Sequence, residues 1–186
     1  VALLQQVEAG RITLDQPVAD IWPEFAQAGK QQVTLRQLLS HRSGVSAISE
    51  PMAPEQLFDW QAMTAAIAAQ EPWWEPGSRH GYAPLTYAWL LGEPLRRLSG
   101  QMPGDYLRER LFLPLGMDFH VGVPDADLPR IAHLSRLRNQ SGDEYARALF
   151  AAMGNAAGLQ WKAFANPSSL QTSTNKREWQ QAQILA

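Results

Sequence analysis

Between Pro84 and Gly100 the apolar residues Leu85, Ala88, Trp89, Leu91, Leu95 and Leu98 return at intervals of three and four, which places them along one side of a helix. A stripe of this kind has to be buried against other elements. Pro84 suits the first turn, where a missing N–H costs little, and Gly100 suits the residue that closes a helix. Pro94 fits less well, because a proline in the interior removes a hydrogen bond and predicts a kink or a division of the helix. Just upstream, Pro76-Gly77 interrupts regular structure and leaves Tyr82 on a loop that feeds the helix.

The partners of that stripe are mostly helical too. Val1 to Val7 is an apolar helical pattern without a Ser, Thr, Asp or Asn before it. Thr34 is set to cap a helix whose buried stripe is Leu35, Leu38 and Leu39, and Ser43-Gly44 ends it. An Ala-rich helix is expected from Glu55 to Gln70, with Leu57, Phe58, Met63, Ala66 and Ile67 inward. Two more are expected over Asp105 to Phe112 and Asp143 to Met153. Phe119 to Val123 alternates enough for one short strand, and Gly154 to Asn175 reads as a long loop. The fold class expected is mainly α with a few short strands.

Composition narrows the classes of function. The 186 residues are 45% apolar, as in a domain with a substantial core, and 16 basic against 18 acidic residues give a net charge of −2. No run of one sign offers a footprint for nucleic acid, and no apolar run approaches the roughly 18 residues of a membrane-spanning helix. Without cysteine there are no disulfides, thiolate metal sites or thiol nucleophiles in these residues. The four histidines, His41, His80, His120 and His133, lack the close helical spacing of a zinc site. Neither a metal nor any other cofactor is expected. No Gly-x-Ser-x-Gly elbow occurs, which disfavours an α/β-hydrolase.

A series of short motifs runs through the chain in order: Leu14-Asp15-Gln16-Pro17-Val18, Leu38-Leu39-Ser40-His41-Arg42-Ser43-Gly44, Trp74-Glu75-Pro76-Gly77, Tyr82, Pro114-Leu115-Gly116-Met117, and Asn175-Lys176-Arg177-Glu178-Trp179. In content and order this series resembles the serine β-lactamase and penicillin-binding-protein superfamily, in its class C β-lactamase-like branch, which includes family VIII-type carboxylesterases. The resemblance implies acyl transfer through a serine nucleophile, and a fold in which a helical domain stands beside an antiparallel sheet. It also implies that residues 1–186 are a partial β-lactamase-like domain, since the family's nucleophile motif lies upstream and most sheet strands come from the two ends. The open helical patterns at both termini agree with an internal fragment. An isolated helical portion would expose apolar surface, so self-association is expected.

The resemblance places a catalytic role on Tyr82, which matches the Tyr of the family's Tyr-x-Asn triplet and there moves a proton between the attacking hydroxyl and the leaving group. A phenol has an ordinary pKa of about 10, so that work needs a neighbouring ammonium. The other reading of Tyr82 is a ring packed at a helix start with its hydroxyl on the backbone. Tyr82-Ala83-Pro84 has proline where the lactamases have Asn, and Pro84 has no side-chain amide for a β-lactam substrate. A carboxyl ester is the more natural substrate.

Pro84 and Trp161 are the candidate substrate-lining residues; Trp73, Trp74, Trp89 and Trp179 are further aromatics for an acyl pocket or for the core. His41 and the serines around it suggest a nucleophile and base, but groups at a helix end more often satisfy the backbone. Ser173-Thr174-Asn175-Lys176 is the one literal Ser-x-x-Lys; it follows Tyr82, where the family has it before, and Ser173 or Thr174 as an N-cap explains it better. The leading function is a serine hydrolase, a carboxylesterase working through an acyl-enzyme in the complete protein on a small-molecule ester or amide. The alternative is a catalytically inactive β-lactamase-like binding or regulatory module. The compartment cannot be read from these residues.

Overall fold

The computed structural model describes residues 1–133, 144–155 and 158–167. Seven α-helices lie among them: α1 (Ala2–Glu8), α2 (Leu35–Leu39), α3 (Trp60–Ala69), α4 (Tyr87–Ser99), α5 (Pro103–Leu107), α6 (Glu144–Gly154) and α7 (Leu159–Ala165). Shorter 3-10 turns at Val18–Asp20, Pro23–Ala26, Pro54–Phe58 and Asp125–Arg130 join them, and a π-turn, Arg108–Phe112, continues α5. Among the described residues there is no strand. Phe119 to Val123, read as a strand from its alternation, forms no strand: residues 119–122 are irregular and Val123 makes an isolated bridge, with Phe119 half exposed and packed on Phe112 at 5.0 Å between ring centres. Alternation without a neighbouring strand to pair with does not make a sheet. Pro17 and Thr34 form an isolated bridge, and Val123 takes part in another.

Local chemistry accounts for several boundaries. Thr34 accepts a hydrogen bond from Gln37 N–H, and the Gln37 side chain accepts from Thr34 N–H, so two of the free donors at the start of α2 are satisfied reciprocally. Gly100 ends α4 in the left-handed region at φ 75°. The helix expected over Glu55 to Gln70 is divided, because Asp59 leaves the helical region and its carboxylate accepts from Gln61 and Ala62 N–H as the cap of α3. The expected division at Pro94 does not occur: α4 runs unbroken through it. Pro94 is buried beside Gly92 and Glu93 on the face that α4 turns to the core. Leu159–Ala165 is a helix within the stretch expected to be a loop, too short at 7 residues to show a period in the sequence.

α4 is the element on which the others meet; α1, α2, α3 and α5 all pack against it. Trp89, Leu90 and Leu95 enter a core shared with Leu3, Phe25, Leu35, Leu38, Met63 and Ile67. Gly92 permits the close crossing, since a Cβ there would stand 2.5 Å from the Trp60 ring and 2.9 Å from Pro103. At this crossing the buried Glu93 carboxylate accepts from Trp60 Nε1 at 2.7 Å, from Arg96 at 2.8 and 2.9 Å and from Arg97 at 2.7 Å. Arg97 also pairs with Glu24 at 2.9 Å, which ties the turn Pro23–Ala26 to α4.

A second buried charge lies nearby. Lys30 is sealed from solvent; its ammonium donates to the carbonyls of Gln27 at 2.8 Å and Gln70 at 2.6 Å, and stands 5.3 Å from the Phe25 ring centre. Burial brings its pKa down to about 8. Among the described residues no helix is long and apolar enough to cross a membrane.

Burial by itself opposes ionisation of Glu93, but hydrogen bonds from Arg96, Arg97 and Trp60 outweigh it and hold its pKa at about 2. Because this lies below the ordinary 4.5, its stabilisation is complete above pH 4.5 and is lost as pH falls from there towards 2. Replacing Glu93 by Gln should lower stability by about 3 kcal/mol near pH 7, since two guanidinium groups lose their shared anion. Urea titrations of both proteins should show the deficit shrinking as pH is lowered through 4; a deficit independent of pH would assign it to packing.

Candidate active site

The loop carrying Tyr82 lies against the segment that leaves α2, and the two exchange hydrogen bonds along their length. Trp73 N–H donates to Gly44 O at 2.8 Å, Gly77 N–H to Arg42 O at 2.8 Å, and the Arg42 guanidinium returns a bond to Gly77 O. Gly81 N–H donates to His41 O at 3.0 Å, and Ala83 N–H to His41 Nδ1 at 3.3 Å. Ser46 Oγ donates to Gly81 O at 2.8 Å, Thr86 Oγ1 to Ser46 O at 3.3 Å, and Tyr87 OH to Leu39 O at 2.8 Å. Gly44, at φ 83°, makes the close approach possible: a Cβ would come within 2.6 Å of Trp74 O.

This bed explains the motif around His41. The residue adopts φ 56°, uncommon for a side chain larger than glycine, and so turns both its carbonyl and its ring towards the Tyr82 loop. Its imidazole stacks on Tyr87 with ring centres 4.1 Å apart, meets Tyr82 edge-on at 5.1 Å and stands 5.9 Å from His80. Burial, with the adjacent His80, pushes its pKa below the ordinary 6.5. The neutral ring accepts at Nδ1, so its proton sits on Nε2. His41 is thus a backbone-satisfying group, as its place at a helix end suggested. Ser43 Oγ accepts from Val45 N–H at 3.2 Å, a local turn contact of the same kind.

Tyr82 itself is 54% exposed, fixed by backbone contacts at the residues on either side of it. Its ring faces Phe164 of α7 at 6.1 Å. Phe164 lies in a stretch that reads as loop, 82 positions away, and no local pattern signals it. Pro84 is half-buried in the turn before α4, three residues ahead of its first turn rather than in it. Trp161 is 36% exposed and occupies α7 three residues before Phe164.

The other tryptophans divide between wall and core. Trp73 lines a cavity of about 430 Å³ with Glu71, Leu159, Lys162 and Asn166, and the Lys162 ammonium sits 4.9 Å from its ring centre. Trp74 and Trp89 are buried. Ser173, Lys176 and Trp179 lie outside the described residues.

Comparison with known proteins identifies the family. A profile of the Beta-lactamase family matches residues 1–176. The esterase/beta-lactamase LipL of Mycobacterium tuberculosis is 33% identical over 129 residues, 68% of this chain and 30% of LipL. Penicillin-binding protein 4 of Amycolatopsis lactamdurans is 34% identical over 144 residues, 73% of this chain and 37% of its own length. Among solved structures, a family VIII carboxylesterase superposes with a TM-score of 0.76 at 32% identity, over 98% of this chain and 46% of that one. A penicillin-binding protein homolog from Caulobacter crescentus gives 0.69 at 46% identity, over 73% of this chain and 36% of its own. The chain spans about a third of the length of the curated relatives it matches. With a match that runs through nearly all of its residues, the chain belongs to the Beta-lactamase family.

Proposed function

We propose that this chain carries the general acid–base half of a serine hydrolase, a carboxylesterase that forms and hydrolyses an acyl-enzyme in the complete protein, and that Tyr82 is the acid–base group. The observation that carries the reading is the position of Tyr82: its phenol is open to solvent while the backbone on either side of it is bonded to His41. A ring placed there for packing alone would be covered. In such a reaction the serine hydroxyl attacks the ester carbonyl, its proton passes through the phenol to the departing alcohol, and water then releases the acid. Pro84 and Trp161 line the substrate on this reading. The 186 residues correspond to the helical portion of the fold, with the nucleophile on a part of the protein that precedes it.

In the complete enzyme, replacing Tyr82 by Phe should lower kcat at least about a hundredfold, because acid–base groups contribute roughly 10²–10⁴ in rate. Steady-state kinetics on a short-chain ester decide this; unchanged turnover removes Tyr82 as the acid–base group, and a complete parent protein without any turnover leaves the inactive binding module as the better reading.

Substrate class rests on Pro84, which offers no amide to a lactam side chain. Side by side, kcat/KM should favour short-chain esters over penicillins and cephalosporins by a wide margin, and comparable lactam turnover would remove Pro84 from the argument.

We also propose that the 186-residue chain alone associates with itself. Val1, Leu113, Leu115 and Phe119 are each more than half exposed. Light scattering should show species larger than a monomer at micromolar concentration; a monodisperse monomer would count against it.

A further inference from the structure

We propose that His41 is a positioning residue for Tyr82, holding the loop through the Nδ1 atom of its neutral ring and releasing it when the ring takes up a second proton. The effect on turnover rests on the reading of Tyr82 given above; the latch itself does not.

Two backbone amides bracket Tyr82. The amide before it, Gly81 N–H, donates to the His41 carbonyl at 3.0 Å, and the amide after it, Ala83 N–H, donates to His41 Nδ1 at 3.3 Å. One residue therefore fixes the loop on both sides of the phenol, and its left-handed backbone at φ 56° is what lets the carbonyl and the ring point the same way. The two bonds differ in their response to acid. A carbonyl accepts at any pH, whereas an imidazolium carries N–H at both nitrogens and has no acceptor. Protonation at Nδ1 sets a donor against the Ala83 donor, so the Ala83 side of the loop is released while the Gly81 side remains as a pivot.

The surroundings favour the neutral ring. From the loop it faces His80 at 5.9 Å and Tyr82 at 5.1 Å, and from α4 it faces Tyr87 at 4.1 Å. Arg42, the next residue in its own segment, is engaged with Gly77 O. Among the described residues no carboxylate pairs with it. Burial first and His80 second keep its pKa below 6.5. For a histidine shifted this way, the latch is fully formed above pH 6.5 and weakens as pH falls from there through the lower folded value.

The test follows the imidazole nitrogens of His41 and the amides of Gly81 and Ala83 by ¹⁵N NMR in the complete protein from pH 8 to 4. The Ala83 amide should titrate with the His41 midpoint, the Gly81 amide should respond much less, and the neutral ring should carry its proton on Nε2. His41→Asn, which tolerates the left-handed backbone and does not titrate, should abolish the Ala83 response. If that variant does not fold, His80→Gln serves instead; removing the neighbouring imidazole should raise the His41 and Ala83 midpoints together. An Ala83 amide that is flat across the His41 titration, or a neutral ring protonated at Nδ1, overturns the latch.

The kinetic arm compares acid limbs. Below the midpoint, kcat/KM on an ester should fall about tenfold per pH unit, and His80→Gln should move that limb by the same amount as the NMR midpoint. A limb that stays in place, in an enzyme where Tyr82→Phe is severely impaired, overturns the positioning role. If Tyr82→Phe is as active as the parent, the assignment of Tyr82 falls, and the amide titration alone decides for or against the latch.

Discussion

The exchange of hydrogen bonds between residues 39–46 and 73–87 is the interaction on which the rest of this structure depends. Neither segment has regular secondary structure over most of its length, and buried backbone groups without partners are costly, so each supplies what the other lacks. The result is an irregular, cross-bonded layer between α2 and α4. It holds the loop that carries Tyr82 at a fixed place, as a rigid bed beneath a loop can. The glycines at 44 and 81 follow from this closeness: a Cβ on the first would strike Trp74 O, and one on the second would meet the Trp74 indole.

Below that layer the charges are arranged in the same spirit. Glu93 takes four hydrogen bonds from three side chains at the one place where α3 and α4 come close enough to need glycine. Arg97 passes the tie outward to Glu24. A buried carboxylate of this kind contributes less to net stability than its bond count suggests, because desolvation opposes it. What it does fix is orientation, since Trp60 of α3 reaches Glu93 at this crossing of the two helices, while Arg96 and Arg97 hold the carboxylate from within α4.

Elements whose signal is local were legible in the sequence. The Thr34 cap with Gln37, the left-handed Gly100 and the apolar stripe of α4 need only neighbouring residues to be understood. Asp59 was legible in principle, as an acidic residue before a helical run, but the Ala-rich pattern on both sides hid the break. Phe119–Val123 and α7 went the other way because each is too short for periodicity to settle its state. At the site, the exposed loop of Tyr82 was readable from Pro76-Gly77 and from the motif series. Its contacts were not: His41 lies 41 positions away and Phe164 lies 82, and only the folded chain brings them to one place. The family match supports the motif series itself, including its order along the chain.

Lys30 carries a consequence of a chemical kind. Its amine is fully enclosed, yet its proton is held less tightly than that of an exposed lysine, with a pKa of about 8. A low pKa makes an amine a better nucleophile at neutral pH, while enclosure keeps electrophiles away from it. In the native protein enclosure prevails, so acylating reagents and enzymes that modify lysine meet an inert residue. Once the end of α3 separates from the turn at Gln27, the carbonyls that hold the ammonium part and the same residue becomes accessible. The chain thus carries, at one position, a chemical record of whether these two pieces have ever come apart.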